Sequence, residues 1–270
     1  MYAKLLAYEI RSRYRADARS FGAFIVSIAA ASGIVAAGLP GISGSTAVLA
    51  YALCALTPVA CAIAAMADYW KTLYGQRGYF TMSLPVSGTT IFWAKTTRMV
   101  IECLLALALA VGGIIAVASA AAWSDGISLA EYTAGPRSLV AGVPTSTVAI
   151  MIVVQVLVSL SWLVQGSAVM SIGAEGRFNH MGFGAPIIGF VLLYIVNQVL
   201  STVGTFFLPL SVTTDGHFST EIMWTSYLAT MGTEGQPNVI GIGSYVLVPL
   251  FALVMAIWAS RSIEKHTSLR

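Results

Sequence analysis

The chain has 270 residues, of which 57% are hydrophobic and only 9% charged, and its mean hydropathy is +0.83. Ordinary globular domains carry roughly 25% charged residues, so 14 Lys+Arg and 11 Asp+Glu are too few to coat a water-soluble body of this size. The composition excludes a disulfide scaffold, a coiled coil and a disordered tail. Its net charge of +3 is not gathered on one folded face, so no nucleic-acid partner is expected.

A helix needs about 20 apolar residues to cross a hydrocarbon core of about 30 Å. Six runs qualify, at 21–39, 46–67, 99–122, 148–172, 184–207 and 240–259. They are apolar throughout rather than alternating, which excludes an outer-membrane barrel and predicts an all-α polytopic membrane protein in one transmembrane domain. Ahead of the first run, residues 1–20 place Tyr2, Leu5, Leu6 and Ile10 on one helical face and Lys4, Arg11 and Arg15 on another. That pattern predicts an amphipathic helix lying on the inner leaflet against membrane lipids, the alternative being a solvated basic tail. The first run exceeds the 7–15 residues of a secretory signal core and is read as retained. The second run carries Tyr51 and, beside Pro58, Thr57; Pro58, Pro186 and Pro249 are read as kinks. Cys54, Cys61 and Cys103 sit in apolar runs without metal-ligand spacing and are read as free thiols.

Between the second and third runs lies the longest inner loop, 68–98. It contains Tyr74-Gly75-Gln76-Arg77-Gly78-Tyr79-Phe80-Thr81-Met82-Ser83-Leu84-Pro85-Val86-Ser87, in which glycines, proline and Ser-Gly punctuate short structure around aromatic anchors and one cation. An ordinary interfacial re-entry turn is one reading; a surface gripped by a partner is the other, because helices of a bundle are joined by 2–8 residues where no more is needed. The stretch resembles the "YGxxGYxTxSLPVS" loop of permease subunits of bacterial type-2 ATP-binding-cassette exporters, with Lys95 matching a lysine near the start of the third span. Gln76 and Arg77 stand where an acidic residue is common in that family. The resemblance implies a short coupling helix, with Tyr74, Gly75, Gln76, Arg77, Gly78, Tyr79, Phe80, Thr81, Leu84 and Pro85 docking on a separate ATPase subunit that holds the ATP and Mg. It also implies a second permease subunit, identical or homologous, and a bacterial plasma membrane.

The third run contains the one ionisable residue within the spans, Glu102, four residues after Arg98 and seven after Lys95. These three share a helix face and predict a structural ion pair, with a gating or coupling role as the alternative. Beyond it come an outer loop at 123–147, the fourth run with Gln155 and Gln165, and a short inner loop with Glu175, Arg177 and His180. In the fifth run, Tyr194, Asn197 and Ser201 are placed on one face by their spacing. The resemblance implies that the second and fifth spans line the central cavity, making Tyr51, Thr57, Tyr194, Asn197 and Ser201 substrate-path candidates, though each serves equally well as interhelical glue. The outer loop 208–239 includes a partly apolar helix over 218–231 that could re-enter the membrane.

Lys and Arg set the orientation, being retained on the cytoplasmic side. With the N-terminus inside, thirteen of the fourteen fall on inner segments, leaving Arg137 outside, so both termini are expected to be cytoplasmic. The chain has no GxxxxGK[ST] and no HExxH, and His180, His217 and His266 lie in loops or tails. No catalytic, cofactor or metal site is expected, and ATP hydrolysis belongs to another polypeptide. Two other functions fit the composition: a non-transporting accessory or sensor subunit of an ATPase complex, and a secondary carrier working through Glu102.

Overall fold

The computed structural model describes residues 1–75, 78–83, 85–182, 184–231 and 235–265, and of Phe80, Asn179, His180 and Lys265 only the backbone. In chain order the elements are α1 (Tyr2–Ala36), α2 (Ser43–Leu73), α3 (Gly78–Met82), α4 (Gly88–Ser124), α5 (Leu129–Tyr132), α6 (Ala134–Ser138), α7 (Thr145–Gly173), a 3-10 helix (Gly176–Met181), α8 (Gly184–Phe207), β1 (Ser211–Thr213), β2 (Phe218–Ser219), α9 (Met223–Thr230), β3 (Val239–Gly241) and α10 (Ser244–Lys265). Six of these, α1, α2, α4, α7, α8 and α10, are long and apolar enough to cross a membrane, which makes this a multi-pass membrane protein by length and composition.

The chain forms two compact units, one of residues 1–77 and 93–139, the other of residues 78–92 and 140–270. In the first, α1, α2 and the body of α4 pack around Phe24, Ile28, Ala50, Cys54 and Val117, with Tyr51 and Leu109 against them. In lipid there is little hydrophobic drive to bring helices together, so close contact of small residues does the work. Gly113 shows this: a Cβ there would stand 2.7 Å from Cys54 Sγ and 3.4 Å from Phe24 Cζ.

In the second unit α10 packs along α7 and α8. Polar crosslinks tie the three: Gln165 Nε2 donates to the Val248 carbonyl at 3.1 Å, Asn197 Nδ2 donates to Gln165 Oε1 at 2.7 Å, and Tyr245 Oη meets Gln155 Oε1 at 3.0 Å. Ser87 caps α4 by accepting from Thr90 N at 3.3 Å. Beside it, Gly88 lies so near α10 that a Cβ would meet Glu264 N at 2.9 Å.

Four expectations are corrected. Residues 1–20 and the first span are not separate elements, because nothing between Tyr2 and Ala36 breaks the helix: Gly22 is tolerated in mid-helix and no proline intervenes. The loop expected over 68–98 shrinks, since α2 runs to Leu73 and α4 begins at Gly88. Pro186 is the third residue of α8, where the missing N–H has no intrahelical acceptor to lose, whereas Pro58 and Pro249 do lie inside their helices. The helix expected over 218–231 is shorter, α9 alone, and its start joins an antiparallel sheet of order β2-β1-β3 that also takes Ile240 out of the last helix.

Candidate functional site

The first unit carries seven ionisable side chains on facing helix surfaces. α1 presents Glu9, Arg13 and Asp17 at intervals of four, α2 presents Asp68 and Thr72 at the same interval, and α4 presents Lys95, Arg98 and Glu102. Residues three and four apart lie on one helical face, so each helix offers a polar stripe on an otherwise apolar body.

The stripes close into a network. Lys95 Nζ donates to Glu9 Oε1 at 2.9 Å and to Thr72 Oγ1 at 3.0 Å. Arg98 bridges two carboxylates, Asp68 Oδ2 at 2.9 Å through Nη2 and Glu102 through Nη1. Arg13 Nη1 reaches Asp68 Oδ1 at 3.0 Å, and its Nε lies 3.6 Å from Asp17. Lys95, Arg98, Glu9 and Glu102 are all buried. Charges held away from water persist only when paired, because an unmatched one costs several kcal/mol. The network therefore fixes the C-terminal end of α2 and the N-terminal half of α4, the two stems of the loop, to α1.

The network borders a cavity of about 450 Å³, lined by Arg13, Asp17 and Glu102 together with Thr57, Cys61 and apolar wall residues that include Phe21, Phe24 and Leu53. Of the two carboxylates on this cavity, Asp17 lies 3.6 Å from Arg13 Nε and Glu102 is held by Arg98. All three cysteines are free thiols. In the second unit a larger cavity of about 510 Å³ is bounded by α7, α8 and α10 and is apolar except for Arg177. Arg177 pairs with Glu175 at 2.7 Å and lies over the Phe178 ring at 4.6 Å.

The expected ion pair is thus divided. Arg98 meets Glu102 as its spacing of four implies, whereas Lys95 turns to Glu9 on another helix. Of the loop candidates, Tyr74 closes α2, its N–H bonded to the Trp70 carbonyl at 2.8 Å and its ring 5.2 Å from that of Trp70. Gly75 follows because a Cβ there would stand 2.7 Å from the Lys71 carbonyl oxygen. Gly78, Tyr79, Phe80, Thr81 and Met82 form α3, on which Tyr79 is 56% exposed while Thr81 is buried. Pro85 is exposed. Gln76, Arg77, Leu84, the Phe80 side chain and the His180 side chain lie outside the described residues, as do Glu234, His266 and Arg270.

No protein family, curated protein or solved structure matches the chain.

The path candidates scatter. Thr57 lines the first unit's cavity while bonding the Leu53 carbonyl at 2.7 Å, and Tyr51 packs against the apolar cluster of that unit. In the second unit Tyr194, Asn197 and Ser201 stand on one helix at spacings of three and four, but Tyr194 is 63% exposed and Asn197 only 2%, so that face runs from the packed side of α8 to its open side. Three residues on a helix are about 60° apart, enough to turn Asn197 inward onto Gln165 while Tyr194 faces out. Sequence reasoning missed Glu9, Asp17 and Asp68. Their signal was present: spacings of four on α1, and a carboxylate one residue beyond the second apolar run.

Proposed function

We propose that the chain is the membrane-spanning permease subunit of an ATP-driven exporter, working by alternating access with a second permease subunit and coupled to a separate cytoplasmic ATPase. The observation that carries this reading is the segment from Tyr74 to Ser87: a motif-bearing loop between the second and third long apolar helices, holding a short helix with the exposed Tyr79. In support, the stems of that loop are held in a buried ion network, the kind of rigid attachment that lets force applied at a loop move spans rather than dissipate. Orientation with the loop inside follows the Lys and Arg distribution. The ATP and Mg are held by the partner.

Purification from the native membrane in nanodiscs, with ATP hydrolysis measured on the same sample, tests this. A soluble ATPase should accompany the chain and be lost from the Tyr79→Glu variant, which should still insert and fold. Recovery of active ATPase with Tyr79→Glu, or reproducible isolation with none, overturns the reading. A secondary carrier is favoured by one observation, the placing of Glu102 on a cavity; it predicts that Glu102→Gln abolishes transport in a preparation containing no ATPase.

A further inference from the structure

The cavity of about 510 Å³ in the second unit is a groove rather than a chamber. Its floor is buried, formed by Val169 of α7, Leu193 of α8 and Met255 of α10, while its rims, Ile188 and Leu192 on one side and Val254 and Trp258 on the other, are 49–60% exposed. The floor is sealed where α7 meets α8, since a Cβ on Gly189 would stand 2.6 Å from Val169 Cγ1. Along α8 the groove runs from Ala185 to Val196. At 1.5 Å per residue that is about 16 Å, half of the roughly 30 Å of hydrocarbon that a bilayer presents. An apolar slot of one leaflet's depth, open along its side, matches an acyl chain.

One end of the slot is cationic. Arg177 lines it there, its Nε donating to Glu175 at 2.7 Å and its guanidinium carbon 4.6 Å from the centre of the Phe178 ring. The side chain is 60% exposed, and Nη1 and Nη2 meet no acceptor among the described residues. Glu175 and Phe178 thus hold the guanidinium in place and leave free the edge that suits a phosphate. At the same end of α10, Arg261 follows Trp258 by three residues and Val254 by seven, two turns on, so it stands on the groove-facing side of that helix. Arg261 is exposed and in no ion pair among the described residues, and the α10 carboxylate Glu264 accepts instead from Thr89 Oγ1 at 3.5 Å.

We propose that this groove seats one acyl chain of an anionic phospholipid, taken from the leaflet that meets the 3-10 helix, with its phosphate held by Arg177 and Arg261. A soluble anion matches the arginines but not the slot. A zwitterionic lipid matches the slot but brings its own ammonium group to the phosphate. Basic pockets between spans on the cytoplasmic side recognise anionic head groups in this way, and the Lys and Arg distribution puts Arg177 and Arg261 on that side. The assignment stands whether or not an ATPase drives transport.

The test uses the full chain in nanodiscs of phosphatidylcholine, into which phosphatidylglycerol brominated in its acyl chains is titrated. Bromine quenches indole fluorescence on contact, and the Trp258 signal is the difference between the chain and its Trp258→Phe variant. Quenching should saturate with brominated phosphatidylglycerol, whereas brominated phosphatidylcholine should quench only in proportion to its bulk content. An arginine near an anionic head group gives a preference on the order of fivefold, so Arg177→Gln and Arg261→Gln should each raise the half-saturating lipid fraction about fivefold. Val196→Phe with Val254→Phe, both at exposed positions, fills the slot without changing charge and should abolish the saturable part. Should Arg177→Gln fail to fold with Glu175 left unpaired, Glu175→Gln with Arg177→Gln removes the pair together and carries the test, folding being checked by gel filtration and circular dichroism. Millimolar glycerol phosphate, a head group without a chain, should leave the quenching unchanged. Equal quenching by the two lipids, saturation indifferent to the arginine variants or to the filled slot, or displacement by glycerol phosphate overturns the proposal. So does a Trp258 that neither lipid quenches, the result expected if a second copy of the chain covers the groove.

Discussion

Removing Glu9 as a charge is the sharpest probe of the network. Lys95 and Glu9 are 2.9 Å apart with side chains only 3% and 9% exposed. Coulomb's law at an effective dielectric constant of about 20 gives an attraction of about 6 kcal/mol at that separation. Glu9→Gln leaves the Lys95 ammonium buried with the Thr72 hydroxyl and a neutral amide, and breaking a buried pair from one side costs about 3–5 kcal/mol. Lys95→Met should cost a similar amount by stranding Glu9. The double variant Glu9→Gln with Lys95→Met removes both charges and should recover most of the loss, since an apolar or neutral replacement of a whole pair is often neutral. Equilibrium unfolding in mixed detergent micelles measures all three, and the cycle should return a coupling of at least about 2 kcal/mol. Single losses under about 1 kcal/mol that add in the double variant would refute the claim that this pair is a desolvated clamp, because that is the behaviour of exposed ion pairs.

Gly113→Val should destabilise by about 1–3 kcal/mol through the clash with Cys54 Sγ, and a companion Cys54→Ala should relieve part of it in the same unfolding assay. Gln165→Leu removes the donor to the Val248 carbonyl and the acceptor of Asn197; a stability loss of about 1–2 kcal/mol marks the pair as interhelical glue, and an unchanged stability would refute that role.

The number of long helices and their order were legible because apolar runs of span length have few alternatives. Helix ends were not. Asp68, Tyr69 and Trp70 look like the start of a loop by polarity, yet α2 continues to Leu73 because Asp68 is neutralised by Arg13 and Arg98, a partnership across helices that no local window contains. The same blindness hid Glu9, whose partner is 86 residues away. The Arg98 and Glu102 contact was readable, being four residues apart on one helix. In the loop after α8 the hairpin signal is Asp215-Gly216 between Thr213 and Phe218, with Gly216 at φ +82°, and the aromatic run that follows obscures it. Tyr194 and Asn197 show the limit of spacing: sequence fixes the angle between two side chains, and packing decides which of them turns inward.

The continuity of α1 has a mechanical meaning. At 1.5 Å per residue its 35 residues make a rod of about 52 Å, well beyond the roughly 30 Å of hydrocarbon it needs to cross. Because Glu9 and Arg13 are pinned to α4 and α2 near one end, that rod is a lever with its fulcrum in the ion network. With about 35–40 Å of helix between those residues and Ala36, a rotation of about 10° there would sweep the distal end by about 6–7 Å without breaking a backbone hydrogen bond.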